Sequence, residues 1–152
     1  MTATVQDRSC PLCEGAGGEL VWQGPDHRVI LADEPRHPGF CRVVWTAHVR
    51  EMSDLAPDDA ERLMATVLTV ERVLRAQLAP DKVNLASLGN VVPHLHWHVI
   101  PRWVDDSHFP VPVWATQRRE PPLRRIDRAG LVGALRRALA GGSQDAAGVA
   151  SS

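Results

Sequence analysis

Three histidines alternate with large apolar residues near the middle of this 152-residue chain, in the segment NVVPHLHWHVIPR. They are His94, His96 and His98. Because successive side chains of a β-strand point to opposite faces, this spacing predicts three imidazoles on one face and apolar groups on the other. The apolar face is expected to pack on a core. The imidazole face suits metal binding or phosphate chemistry, and an ordinary polar strand face is the third interpretation.

Two features of the sequence favour ligand chemistry at this strand. The residues between the histidines are Leu, Trp and Val, which predicts that one side of the strand is well buried. The preceding segment NLASLGN supplies small and amide residues, where a backbone approaches a ligand closely. A neutral imidazole beside a phosphate is able to attack phosphorus covalently, while neighbouring imidazoles orient it or donate protons.

A Cys-x-x-Cys pair, Cys10 and Cys13 in CPLC, is the second group with chemical potential. Two thiolates at this spacing serve either a metal or a redox reaction, and a closed tetrahedral zinc site needs two further ligands. A thioredoxin-like use expects a βαβ context, which the flanking sequence lacks. The odd third cysteine, Cys41, lies in a strand pattern and is interpreted as a core thiol.

The elements that must position these groups follow from local patterns. Apolar and β-branched runs predict five strands, at residues 18–23, 27–34, 40–48, 82–89 and 93–101. The clearest helix covers residues 55–80, with Pro57 in its first turn and Pro80 at its end. A smaller helix is expected from about Ile126 to Leu139. The fold class is therefore α+β, a mostly antiparallel sheet of about five strands with one long helix and a smaller C-terminal one.

Length and composition predict one domain over residues 1–140, followed by a polar tail at 141–152 that has little to bury and is expected to be disordered. A formal net charge of −1 gives no basic footprint for general nucleic-acid binding. No apolar run reaches the length of a bilayer span. The N-terminus lacks the layout of a signal peptide, so a cytoplasmic location is expected.

These motifs, in this order, resemble the histidine triad (HIT) superfamily of nucleotide hydrolases and transferases. HLHWHVI matches its alternation of three histidines with apolar residues. The early CPLC, the acidic residue after the second strand, the strand ending in TAHV, the long helix and the Asn-bearing strand also follow the family's order. The likeness covers roughly residues 8 to 115. NLASLGNVVPHLHWHVIPRW followed by FPVPVW looks like a bacterial branch described as diadenosine tetraphosphate hydrolase-like.

The resemblance implies roles for individual residues. His96 is expected to attack an α-phosphate and become nucleotidylated, and His98 to contact the phosphate and help the leaving group depart. Asn84 matches a position that hydrogen-bonds near the phosphate and holds a histidine, with a satisfied strand amide as the alternative. Asp33 falls near a carboxylate that binds ribose hydroxyls, with a solvated turn acid as the alternative.

One departure from the family pattern lies just upstream of the histidines. Many members carry Gly-Gln-Ser/Thr where this chain has GNV at residues 89–91. Asn90 replaces the glutamine amide at shorter reach, but Val91 cannot replace the hydroxyl. Backbone N–H groups of residues 90–92 remain as expected phosphate donors.

The resemblance also implies a zinc site and an assembly. Zinc-containing members place a third ligand at the position of His48 and a fourth at His94, which together with CPLC gives one closed, structural zinc per chain. The expected activity is hydrolysis of dinucleoside polyphosphates or nucleoside phosphoramidates by a homodimer. Nucleotidyl transfer to a second substrate and non-catalytic nucleotide sensing are the alternatives.

Overall fold

The computed structural model describes residues 6–145. Five antiparallel strands form one sheet in the order β1-β2-β3-β5-β4. The strands are β1 (Glu19–Gln23), β2 (His27–Leu31), β3 (Cys41–Trp45), β4 (Lys82–Ala86) and β5 (His96–Arg102). This sheet confirms the predicted α+β class and the presence of all five strands, each shorter than its apolar run in the sequence.

Within residues 6–145, three helices accompany the sheet: α1 (Pro11–Glu14), α2 (Pro57–Leu78) and α3 (Arg128–Asp145), with one 3₁₀ turn at Met52–Asp54. Helix α2 confirms the long predicted helix. Its first turn carries Pro57 and two aspartates, which suit the positive end of the helix dipole. It ends where Ala79 takes a left-handed conformation, with φ of 45°.

The long helix packs its apolar stripe on one face of the sheet. Leu63, Val67, Val70 and Leu74 recur at helical spacing and are fully buried. Burying side chains of this size contributes about 1.5–3 kcal/mol each. Helix α3 packs against α2 and β1. This half of the molecule is a structural core.

The opposite face of the sheet is covered by the short helix α1 and by irregular segments. A second apolar cluster joins the N-terminal segment to Ile30, Phe40, Val44 and Ile100. The chain after β5 is fixed by Arg102, which is fully buried and donates to the Asp106 carboxylate at 2.7 Å. Removing one partner of such a buried pair costs about 3–5 kcal/mol, so this pair anchors the segment that leads to Trp114.

Two of the boundaries that differ from the sequence predictions have a clear local cause. Strand β5 begins at His96 because the backbone turns just before it, where His94 N–H donates to the Val92 carbonyl. Only two of the three histidines therefore lie on the strand. Helix α3 starts after Asp127, whose carboxylate accepts from the Gly130 N–H, and continues to Asp145.

Helix α3 thus includes the first residues of the predicted tail, 141–145. The rest of that tail, residues 146–152, lies outside the described residues. Within the part of the chain that the structure describes, no helix is long and apolar enough to cross a membrane.

Candidate functional site

His96 and His98 face a cavity of about 510 Å³ on the side of the sheet opposite α2 and α3. Strand β5 places both side chains on this face, with His96 opposite Val44 and His98 opposite Arg42 in the neighbouring strand. The two imidazole rings lie 4.8 Å apart at 83°. The other wall residues are Pro11, Leu12, Gly17, Arg42, Leu88, Gly89, Asn90, Val91, Val92 and Trp114. The walls are mostly apolar, with the histidines and Arg42 as the concentrated polar groups.

Hydrogen bonding fixes the tautomer of His96. Its Nδ1 lies 2.5 Å from the carbonyl oxygen of His94, which only an N–H can approach so closely. The proton therefore sits on Nδ1 and Nε2 carries a free lone pair. Burial lowers the pKa of His96 below its usual value because it penalises the charged form. His96 is held as a neutral, oriented imidazole.

His98 has the complementary tautomer. Arg42 Nε donates to its Nδ1 at 3.4 Å, so the ring proton of neutral His98 sits on Nε2. Burial, together with the positive charge of Arg42 and the closeness of a second titratable imidazole in His96, lowers the pKa of His98 to about 3. His98 is thus a neutral imidazole with a free N–H, beside a neutral His96 with a free lone pair. A lone pair and an N–H side by side are the groups that attack on phosphorus and stabilisation of a leaving group would need.

Arg42 is a functional residue that the sequence analysis missed. It interrupts the apolar strand FCRVVW, and that lone charge in a strand pattern was the available signal. Its position opposite His98 depends on the pairing of β3 with β5, which local sequence does not specify. Trp114, in the proline-rich segment, also reaches the site, with its ring 4.9 Å from that of His98.

The loop at residues 88–92 closes one end of the cavity and contains the predicted substrate contact Asn90. Gly89 adopts a positive φ of 69°, a left-handed conformation that favours glycine. The Val91 side chain is 93% exposed. Where many family members carry a hydroxyl, this chain therefore has a solvent-facing valine at the cavity mouth.

Two predicted substrate contacts lie apart from this cavity. Asn84 accepts a hydrogen bond from Arg102 at 2.7 Å and lines a separate cavity on the edge strand. Its amide oxygen is thus used by a buried cation rather than by a histidine. Asp33 is exposed, just after β2, and does not line the cavity of His96. The structure does not bring either side chain to the two histidines.

The predicted metal ligands come together in a second cluster. Cys10, Cys13, His48 and His94 place one ligand atom each within 4.8 Å of the others. Cys10 Sγ lies 3.4 Å from His94 Nδ1, and Cys13 Sγ lies 3.4 Å from His48 Nδ1. Sulfur and nitrogen ligands around a tetrahedral zinc are separated by roughly 3.5 Å, given zinc distances of about 2.3 and 2.05 Å. The cluster is able to hold a metal ion.

Local structure prepares this cluster for coordination. The single turn of α1 brings the two cysteines together, with Cys13 N–H donating to the Cys10 carbonyl at 3.0 Å. His94 Nε2 donates to the Trp45 carbonyl at 2.6 Å, so its Nδ1 is unprotonated and faces the sulfurs. A backbone acceptor on the far nitrogen is the usual way in which a protein orients a histidine ligand.

Comparisons with known proteins agree with this geometry. A family model described as HIT domain matches residues 16–104, more than half of the chain. An AP-4-A phosphorylase from Mycobacterium tuberculosis is 32% identical over 100 residues, which cover 62% of this chain and 48% of that protein. A bis(5'-adenosyl)-triphosphatase from Saccharomyces cerevisiae is 32% identical over 76 residues, covering 46% and 37%. The matches span less than half the length of these curated relatives.

Solved structures share the fold. A histidine triad protein from Sinorhizobium meliloti superposes with a TM-score of 0.69 at 27% identity, covering 90% of this chain and 98% of that one. A zinc-bound histidine triad family protein from Mycobacterium smegmatis has a TM-score of 0.59 at 22% identity, covering 90% and 97%. The second likeness concerns the fold alone.

Proposed function

The chain belongs to the HIT domain family, and from that premise we propose that it is a nucleotide-phosphate hydrolase that forms a nucleotidyl-histidine on His96. The observation that carries the proposal is the tautomer of His96. Its Nδ1 is anchored to a backbone carbonyl, and its Nε2 lone pair has no side-chain hydrogen-bond partner among residues 6–145. A nucleophile held neutral and oriented in this way needs no prior deprotonation.

The first step breaks the bond between the α-phosphorus and the leaving group. The His96 Nε2 lone pair forms a bond to phosphorus, and the leaving group departs with the electron pair of the broken bond. His98 Nε2–H donates a hydrogen bond to the departing atom and stabilises the negative charge that develops there, and solvent supplies the proton that this atom takes up.

The second step releases the nucleotide. Water attacks the same phosphorus, His96 leaves with the electron pair of the P–N bond, and the proton that the water loses passes to solvent. His98 keeps its Nε2 proton throughout, and His96 returns to its starting tautomer.

The cavity supports a nucleotide as the bound group. Its volume of about 510 Å³ lies within the usual range for small-molecule sites. The apolar walls and the half-exposed Trp114 ring suit a nucleobase. Asn90 and backbone N–H groups of the loop at 90–92 are the proposed phosphate contacts.

The names of two relatives support dinucleoside polyphosphates as the substrate class. One is named a phosphorylase and the other a triphosphatase, so they differ in whether phosphate or water accepts the nucleotide. Transfer to an acceptor other than water is therefore the second candidate function, because the same His96 intermediate serves both.

Zinc is the metal that suits the second cluster. Two thiolates and two neutral imidazoles form a closed tetrahedral donor set, and a zinc-bound protein shares this fold. A metal held by Cys10, Cys13, His48 and His94 would stabilise the join between the N-terminal segment, β3 and β5. Its contribution is structural, since His96 is not a ligand.

A homodimer is part of the same proposal. Strand β4 is an edge strand, and Leu85 and Leu88 are 37% and 53% exposed on or next to it. An apolar edge of this kind is usually covered by a partner. Light scattering of the purified protein tests this, and a monomer at micromolar concentration contradicts it.

The products of diadenosine tetraphosphate test the proposed function. Attack by water at an α-phosphate yields AMP and ATP, whereas attack by inorganic phosphate yields ADP and ATP. We expect AMP and ATP in phosphate-free buffer, with ADP appearing on addition of phosphate only if the transferase function holds. Nucleotide binding without any product would contradict both and favour a sensing module.

A further inference from the structure

A second cavity adjoins the catalytic one. It has a volume of about 290 Å³ and shares two wall residues, Arg42 and Trp114, with the cavity of His96 and His98. Its other principal wall residues are Glu34, Arg36, His37, Phe40, His108 and Gln117. The Phe40 ring meets the His98 ring edge to face, at 5.5 Å between centroids. This space, named here the Arg36 cavity, therefore lies on the other side of His98 and Arg42 from the catalytic cavity.

The charges around the Arg36 cavity favour an anion. Two guanidinium groups, Arg36 and Arg42, face one carboxylate, Glu34. Arg36 uses one N–H to donate to the Gln117 side-chain oxygen at 2.9 Å, so its other N–H donors remain available. A planar fork of this type binds phosphate oxygens two at a time.

The floor of the Arg36 cavity is built from buried histidines. His37 and His108 are only 4% and 5% exposed, and His37 Nε2 lies 3.0 Å from His108 Nδ1. The Ser107 hydroxyl also lies 2.9 Å from His108 Nδ1 and has no other side-chain partner among residues 6–145. When Ser107 and His37 both donate to that nitrogen, the His108 proton sits on Nε2 as a further donor.

Burial keeps these imidazoles neutral. The pKa of His37 falls to about 4 and the pKa of His108 is also lowered, in both cases chiefly because burial penalises the charged form. The floor therefore adds one N–H donor, that of His108 Nε2, without adding charge. With two arginines against one glutamate, the cavity keeps one net positive charge near neutral pH.

From these contacts we propose that the Arg36 cavity binds a second phosphate group of the substrate, in addition to the α-phosphate held at His96. The proposal rests on the proposed function, since it assumes a nucleotide in the adjoining cavity. Two sources share this chemistry. The group is either a distal phosphate of a polyphosphate leaving group or a phosphate on the ribose.

The test compares Arg36→Gln with the parent on three substrates. Adenosine 5′-phosphoramidate carries no second phosphate, diadenosine tetraphosphate carries it in the chain, and 3′-phosphoadenosine 5′-phosphoramidate carries it on the ribose. Arg36 is exposed and bonds only Gln117, so its replacement should leave the fold intact. Arg72→Gln, at an exposed position on α2, is the matched loss of one arginine.

We expect Arg36→Gln to lower kcat/KM for one of the two phosphate-bearing substrates at least about tenfold more than for adenosine 5′-phosphoramidate, because it removes a charge-assisted contact. The substrate affected identifies the source of the phosphate. Arg72→Gln should change all three alike. An equal effect of Arg36→Gln on all three substrates would overturn the proposal.

Binding of inorganic tripolyphosphate, measured by titration calorimetry, separates this proposal from the proposed function. It requires no turnover. Binding that weakens in Arg36→Gln but not in Arg72→Gln supports the anion site even if none of the nucleotides is hydrolysed, and that result would count against the hydrolase alone. Unchanged binding in Arg36→Gln overturns the anion site.

Discussion

Two histidines separated by one residue, His94 and His96, serve different chemistry because different atoms hold their rings. The Nε2–H of His94 donates a hydrogen bond to the Trp45 carbonyl, and its Nδ1 faces two cysteine sulfurs. The Nδ1–H of His96 donates a hydrogen bond to the carbonyl of His94, and its Nε2 faces an open cavity. The backbone carbonyl that accepts the proton therefore decides which nitrogen carries the lone pair, and so what each imidazole does.

The surroundings reinforce the difference between these two regions. The metal cluster, made of Cys10, Cys13, His48 and His94, has its four ligand atoms close enough to share one ion. The cavity of His96 and His98, by contrast, has mostly apolar walls and an open mouth. The first region suits stability and the second suits turnover, so substitutions in each should affect different measurements.

The largest expected effect is that of His96→Ala on turnover. Removing the nucleophile should lower kcat/KM by about 1,000-fold or more, while the melting temperature and metal content stay near those of the parent. Steady-state kinetics, calorimetry and metal analysis of the same preparation measure all three. Activity within about threefold of the parent would remove His96 from this role.

His98→Ala should have the next largest effect, and the effect should depend on the substrate. Loss of the hydrogen-bond donor that stabilises the departing atom costs about 100-fold or more when the leaving group is basic. A substrate with a good leaving group, such as a nitrophenyl ester of AMP, should recover most of this loss because its departing oxygen needs little stabilisation. The comparison of the two substrates is the measurement, and equal losses on both would contradict hydrogen-bond donation by His98 to the leaving group.

Replacing Cys10 and Cys13 together by serine should affect stability before chemistry. The protein should lose its zinc, of about one per chain, and its melting temperature should fall by more than about 5 °C, because the metal joins three segments. Some hydrolysis should remain, since His96 stays in place.

Cys41→Ala is the control for the cysteine pair. Cys41 is fully buried in the core away from the metal cluster, so this variant should lose stability but keep its zinc. Metal-free parent protein prepared without chelator, or a double serine variant as stable as the parent, would exclude the structural site. Activity that follows metal content and returns with cobalt would make the metal catalytic instead.

Lowering the pH should destabilise the fold through the buried histidines that lie outside the metal cluster. Burial lowers the pKa of His37 to about 4 and that of His98 to about 3, whereas unfolded histidine has a pKa of 6.5. Above pH 6.5 both states are neutral and the full stability is present. Between pH 6.5 and about 4 the unfolded state binds protons that the folded state does not. Each group therefore lowers the free energy of unfolding by up to about 1.4 kcal/mol per pH unit.

Urea unfolding at pH 7.5 and pH 5.0 measures this loss. The parent should be less stable at the lower pH. His37→Gln should lose less stability over the same interval, because it lacks one of the groups that bind a proton only in the unfolded state. Both proteins keep the same metal ligands, so metal release affects them equally. An identical loss in the two proteins would show that His37 titrates normally when folded.

Local sequence predicted the elements better than the contacts between them. The alternation around His96 and His98 and the spacing of Leu63, Val67 and Leu74 depend on near neighbours in the chain, and the structure confirms the strand and the helix. Arg42 was missed because its contact with His98 depends on the register of two strands 56 residues apart in the chain.

The family resemblance supplied what local patterns could not. His48 and His94 lie 35 and 81 residues from Cys13, and only the resemblance connected them before the structure brought them together. The same reasoning was less informative for Asn84, because motif position does not reveal that the buried Arg102 takes its amide oxygen. Composition did not predict the end of α3 correctly. The residues GGSQD favour a tail, but the helix continues through them.

The most direct test of the central claim is to find the nucleotide on His96 itself. Diadenosine tetraphosphate is mixed rapidly with the protein, the reaction is stopped in alkali, which preserves phosphorus–nitrogen bonds, and the peptides are sequenced by mass spectrometry. The account predicts an adenylyl group on His96, and no adduct in His96→Ala. An adduct on His94 or His98, or rapid turnover with no adduct on any histidine, would contradict it.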